Sequence, residues 1–169
     1  HAINGEVVPI EEAPPLPVAE ESLRVTRRGM FNIINSRAGT SFSSRIEDEA
    51  HRMCGKTGTS QVRNITDAER ARGVISNDQL PWNRRDHALF VCFAPYEMPR
   101  YAVSVVVEHG GGGGAVAAPI ARDILLYALA DGLPPLTAYP ESERAKVQEM
   151  WSRMNLTPSA RKGEGRARA

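Results

Sequence analysis

Two apolar runs rich in β-branched and aromatic residues, His87–Ala94 and Arg100–Val107, stand on either side of Pro95-Tyr96-Glu97-Met98-Pro99. Short runs of this composition read as strands, and a proline-bounded break of this length joins them as an antiparallel hairpin. Both strands are expected to be buried. A third strand-like segment, Gly55-Lys56-Thr57-Gly58-Thr59-Ser60-Gln61-Val62, precedes them. The glycine run from Gly110 to Gly114 follows the hairpin as a permissive turn and opens a helix over 115–130. Val116, Ile120, Ile124 and Tyr127 share one face of that helix, and Asp131-Gly132 stops it. Upstream, Leu23, Met30 and Ile34 recur near helical spacing behind Glu20 and Glu21, whose charges favour a helix N-terminus. The fold class that follows is α/β of the α+β type, an antiparallel sheet with packed helices.

The remaining chain is punctuated rather than repeated. Gly5-Glu6-Val7-Val8-Pro9 is a short strand-like start, and the prolines between Glu12 and Pro17 rule out a regular helix and make a linker. Ala38-Gly39-Thr40-Ser41 is a turn. Within the long connection from Arg63 to Arg85, Thr66-Asp67-Ala68-Glu69 fits a capping box, with Gly73 as the stop. The rest reads as a surface loop bordering a cleft. From Glu141 to Met154, Val147, Met150, Trp151 and Met154 form an apolar stripe better suited to packing than to capturing a partner. Three segments result: a globular portion over 1–132, a helical extension over 133–154, and a basic tail over 155–169 expected to be disordered.

Composition removes several classes of function. A net charge of +1 and a pI near 8.0 exclude a chain built mainly to bind nucleic acid, which shows a basic face and a higher pI. No apolar run reads as a membrane-spanning helix and no signal peptide is visible. Two cysteines, Cys54 and Cys92, do not make a disulfide framework; each sits in a strand-like run, and a bridge is conceivable only if their strands are neighbours.

The chemistry concentrates in Lys56-Thr57-Gly58-Thr59. A lysine ammonium is a compact charge with three donors, threonine hydroxyls donate and accept, and a glycine within a strand allows another backbone to come close. These residues suit an extended, carboxylate-bearing, peptide-like ligand. Alternation along a strand puts Lys56, Gly58 and Ser60 on one face and Thr57 and Thr59 on the other, so all can serve one ligand only at a sheet edge. The plain alternative is an ordinary solvated edge strand. Elsewhere the signals are weaker. A phosphate loop needs Gly-Lys-Ser/Thr after its glycines, whereas Ala115-Val116 follows Gly114. His51 and Cys54, three apart, face opposite ways and have no second half-site, so no metal and no cofactor are expected. His87 and His109 read as boundary residues of strands.

Lys56-Thr57-Gly58, followed in order by His87–Pro95, Tyr101–Glu108 and Gly110–Ala121, resembles the C-terminal part of the transpeptidase domain of class B penicillin-binding proteins, most closely the elongation-type penicillin-binding protein 2 family, over roughly Asn4 to Leu129. The resemblance implies a portion of the penicillin-binding and serine β-lactamase-like fold. It also implies that Lys56 supports the nucleophile and carboxylate regions, that Thr57 and Thr59 hold the ligand carboxylate beside Gly58, and that the Thr59 N–H is half of an oxyanion hole. The implied ligands are a peptidoglycan stem peptide ending in D-Ala-D-Ala and β-lactam antibiotics. The implied partners are the remainder of the parent enzyme and membrane proteins of an elongation complex, on the periplasmic face of the inner membrane. The family's nucleophilic Ser-x-x-Lys and its Ser-x-Asn do not appear upstream; the one Ser-x-x-Lys match, Ser159–Lys162, falls in the tail. The chain, which begins with His1, is therefore expected to be a piece of a larger enzyme and inactive alone. A division-type transpeptidase or a serine β-lactamase shares Lys-Thr-Gly, and a non-catalytic protein-binding module remains the reading from another class.

Overall fold

The computed structural model describes Ala2–Ile3, Glu6–Val7, residues 14–130 and residues 132–156. The expected basic tail, with Ser159 and Lys162, lies outside the described residues except for Asn155 and Leu156. Two short strands, β1 (Ala2–Ile3) and β2 (Glu6–Val7), pair antiparallel with each other. Helix α1 (Glu20–Asn35) starts with Glu20 and Glu21 in its first turn, where carboxylates meet the positive end of the helix dipole. Of its predicted apolar positions, Ile34 is fully buried, Met30 is half-buried and Leu23 is exposed.

The main sheet has three antiparallel strands in the order β3 (Cys54–Ser60), β4 (His87–Ala94), β5 (Tyr101–Val107). β4 is central because it pairs with both neighbours, and its alternate residues Ala88, Phe90, Cys92 and Ala94 are buried. The predicted hairpin is present, but β5 is not a buried strand. It lies at the edge of the sheet, and Val106 on its outward face is 59% exposed. A β-branched run marks a strand without saying how many of its faces are covered.

A π-helical turn (Gly113–Ala117) leads into α3 (Ala118–Ala130), which packs on β4 and β5. The face expected from Val116, Ile120, Ile124 and Tyr127 is not the one that packs: Ile120, Ile124 and Tyr127 are exposed. Ala117, Ala118, Ala121, Leu125, Leu126 and Leu129 form the buried side. Small alanines let the helix come close to the sheet, so the smallest residues rather than the largest mark the contact. The run Gly113–Ala130 is also long and apolar enough by composition to cross a membrane, with a mean hydropathy of 1.3, contrary to the expectation that no such run exists. Here the buried side of that run covers the sheet, and Arg122-Asp123 interrupts it.

Helix α4 (Glu141–Arg153) follows the turn Leu136–Ala138. Val147 and Trp151 are buried, Met150 and Met154 are exposed, and the Trp151 ring meets Tyr139 edge-on at 5.9 Å. Tyr139 also lies against the buried Arg122 guanidinium, 4.8 Å from its ring centre. Arg122 Nε donates to Asp123 Oδ1 at 2.9 Å, while burial pushes the Asp123 carboxyl above its usual range despite that cation. One charged and aromatic cluster thereby ties the chain beyond Gly132 to α3.

The register pairs Gly55, not Cys54, with Cys92. Although the strands are neighbours, the two cysteines point to opposite faces and stay free. Burial pushes both thiols up to about 12. Since the thiolate is the reactive form, an alkylating reagent at pH 8 should modify neither cysteine in the folded protein and both after denaturation, as counted by mass spectrometry. Trp151→Ala should cost about 3–5 kcal/mol in urea unfolding, the scale for emptying a buried aromatic site.

Candidate functional site

β3 is paired with β4 along its whole length, from Cys54↔Phe93 to Ser60↔His87. Among the described residues its other edge has no strand. The predicted alternation is observed: Lys56, Gly58 and Ser60 lie opposite Val91, Leu89 and His87, while Thr57 and Thr59 share the second face with Phe90 and Ala88. The Lys56 face is open, with Lys56 itself exposed and Val91 47% exposed. The Lys56 ammonium donates to the Thr57 carbonyl at 2.7 Å, a contact with its own strand that a ligand anion can replace. Gly58 keeps this face low; a methyl group there would stand 3.2 Å from Leu89 Cβ. Thr57 is half-buried and Thr59 exposed.

The back of this strand is defined by the π-helical turn. A methyl group on Gly113 would be 2.2 Å from the Leu89 carbonyl oxygen and 2.7 Å from that of Gly58. One on Gly114 would be 2.8 Å from the Thr40 carbonyl oxygen, 2.9 Å from Ser41 Oγ and 3.5 Å from Thr57 Cγ2. The turn therefore touches the lysine–threonine–glycine strand backbone to backbone. Reading the run as a permissive link missed these contacts, although its density of glycine was the available signal.

The connection between β3 and β4 folds over the far end of the strand. Helix α2 (Asp67–Arg72) has the expected cap, with Thr66 Oγ1 accepting from the Glu69 N–H at 3.2 Å and Gly73 at φ 101° beyond it. The capping box is not closed, because Glu69 turns to Arg63 instead, accepting two hydrogen bonds at 2.6 Å. That bidentate contact holds its carboxyl below the usual range. Asp86 accepts from the Val62 N–H at 3.3 Å and from Asn77 Nδ2 at 3.2 Å, pinning the loop to the end of β3. His87, the cross-strand partner of Ser60, accepts the His109 N–H at Nδ1, and His109 Nδ1 donates to the Arg85 carbonyl. Trp82, 63% exposed, lies against the His109 ring at 4.4 Å. The sequence did not single out Trp82; only the fold brings it to these histidines.

The arrangement provides a cation, two hydroxyls and an unpaired strand edge. Among the described residues, no serine hydroxyl or cysteine thiol is hydrogen-bonded to a histidine or lysine side chain, and Ser41 and Ser44 are buried. His51 pairs with Asp48 at 2.8 Å, and no described residues form a cluster able to hold a metal. The described residues offer donors and a cation at this edge, and among them no activated nucleophile.

The chain is similar to known proteins in both sequence and fold. The sequence model described as "Penicillin binding protein transpeptidase domain" matches residues 7–126. The chain is 34% identical over 143 residues to peptidoglycan D,D-transpeptidase MrdA of Haemophilus influenzae, covering 82% of this chain and 21% of that protein. It is 29% identical over 127 residues to MrdA of Escherichia coli, covering 73% of this chain and 19% of that protein. Among solved structures, Pseudomonas aeruginosa PBP2 in complex with WCK 5153 superposes with a TM-score of 0.52 at 28% identity, over 82% of this chain and 26% of that one. PBP2 of Helicobacter pylori, in a complex with MreC, gives 0.50 at 29% identity, over 67% and 19%. The chain thus spans about a fifth of the length of these curated relatives. With the matched region running through the edge strand, the hairpin and most of α3, the chain belongs to the penicillin-binding-protein transpeptidase family, in its MrdA or PBP2 branch.

Proposed function

We propose that this chain is the substrate-strand portion of a peptidoglycan D,D-transpeptidase of the elongation type. The observation that carries the reading is β3 itself: among the described residues an edge strand, with Lys56 exposed on one face and Thr59 exposed on the other. A stem peptide ending in D-Ala-D-Ala adds along this edge as an extra strand. Lys56 and the hydroxyls of Thr57 and Thr59 bind its terminal carboxylate, and Gly58 leaves room for the ligand backbone. Lys56 also supports the nucleophile electrostatically.

The attacking serine belongs to a part of the protein outside these residues. Its Oγ attacks the penultimate D-Ala carbonyl, the Thr59 N–H helps hold the oxyanion, and the amide breaks to release D-Ala with a proton on its nitrogen. An amine from a neighbouring strand then attacks the ester, breaks it and takes the acyl group, returning the proton to the serine. β-Lactams acylate the same serine through their ring amide. Such a protein works on the periplasmic face of the inner membrane and assembles with membrane proteins of the elongation complex, as the association of the Helicobacter pylori relative with MreC supports.

A full-length protein carrying these residues should be labelled covalently by a fluorescent penicillin. Lys56→Ala should slow labelling by on the order of 10- to 100-fold, the scale of a charge-assisted hydrogen bond. Its melting temperature should stay unchanged, since Lys56 is exposed and contributes nothing to the core. Undiminished labelling of this variant would remove the assigned role.

A further inference from the structure

The π-helical turn behind β3 touches two atoms that matter for the proposed reaction. Gly113 packs against the carbonyl oxygens of Gly58 and Leu89 so closely that a methyl group would sit 2.7 Å and 2.2 Å away. These are backbone atoms of two paired strands, so no side chain can swing aside to make room. The Gly58 carbonyl and the Thr59 N–H are opposite ends of one planar peptide unit. A push on that carbonyl therefore rotates or displaces the N–H. Gly114 acts on a different group: a methyl group there would meet the Thr40 carbonyl at 2.8 Å, Ser41 Oγ at 2.9 Å and Thr57 Cγ2 at 3.5 Å. Ser41 is fully buried and its Oγ has no hydrogen-bond partner, so it is held there by packing. The threonine methyl packed toward Gly114 leaves its hydroxyl to be aimed by that contact. Gly112, one residue earlier, has nothing within 4 Å of an added methyl group.

Resting on the transpeptidase reading above, we infer that Gly113 and Gly114 are positioning residues with separable effects. Gly113 sets the Thr59 N–H through the shared peptide plane, and Gly114 sets the Thr57 hydroxyl. The two never touch the ligand. Their absent side chains fix how close the turn stands behind the strand, and that spacing fixes the donors in front. π-Helical turns recur at functional sites, where a local departure from α geometry places backbone that a regular helix would withdraw.

The test uses the full-length protein with a fluorescent penicillin, separating the dissociation constant of the initial complex from the acylation rate constant. Gly113→Ala should lower the rate constant about tenfold or more, short of the ~10²–10³ for removing an oxyanion donor, with binding retained. Gly114→Ala should weaken initial binding and spare the rate constant. Gly112→Ala should change neither. If Gly113→Ala does not fold, Gly114→Ala decides: weaker binding at an unchanged rate constant sustains the inference, and any other result overturns it. Unaltered acylation in Gly113→Ala, or equal losses in all three variants that follow their melting temperatures, also overturns it. Lys56→Ala run in parallel separates the two claims. If that variant is labelled normally, the transpeptidase assignment of the strand fails; if it is impaired while the glycine variants are not, only this inference fails.

Discussion

The ladder that sets Lys56 opposite Val91 and Gly58 opposite Leu89 is the constraint on which the site depends. Side chains alternate with a period of two, so a slip of one residue would turn Lys56 toward the helices and bring Thr57 to the open face. The register is held because β4 buries Ala88, Phe90, Cys92 and Ala94 on a single side. Shifting the pairing would expose that set or drive a lysine into it. Core burial on β4 thus specifies the direction of a cation on its neighbour.

Depth is controlled separately from direction. α3 lies close over β4 and β5 because alanines line its buried side, and the turn before it comes closer still because Gly113 and Gly114 have no side chains. Within α3, Arg122 is almost fully buried, its Nε bonded to Asp123 and its guanidinium against the Tyr139 ring, while its Nη1 has no partner. Burying such a charge is costly, and the contacts it does make lie with Asp123 and Tyr139. They tie the chain after Gly132 to α3, with Trp151 closing over Tyr139.

Much of this architecture was legible in local pattern. The hairpin, the three long helices, the Thr66 cap and the alternation along Lys56–Ser60 follow from composition and spacing, because they depend on neighbours a few residues away. The misses share one cause. Ile120, Ile124 and Tyr127 make the more apolar-looking stripe of α3, yet its alanines face the sheet, and β5 reads as apolar although its outer face is bare. Glu69 fits the capping box by spacing, but Arg63 offers it two hydrogen bonds and wins. In each case the deciding contact lies outside the local pattern that suggested the reading.

For this chain, the amino-acid sequence by itself determined the residue types at the candidate site and their order: a lysine, hydroxyls and a glycine in alternating positions of a strand, with a hairpin and a glycine-led helix behind them. Those properties are local, set by side-chain chemistry and the period of the backbone. The tertiary structure alone decided that the strand lies at the sheet edge, that Cys54 and Cys92 face apart, that Trp82 reaches His109, and that Gly113 rests on the Gly58 carbonyl. Each of these depends on the register and depth of packing between segments, and only the assembled core fixes those.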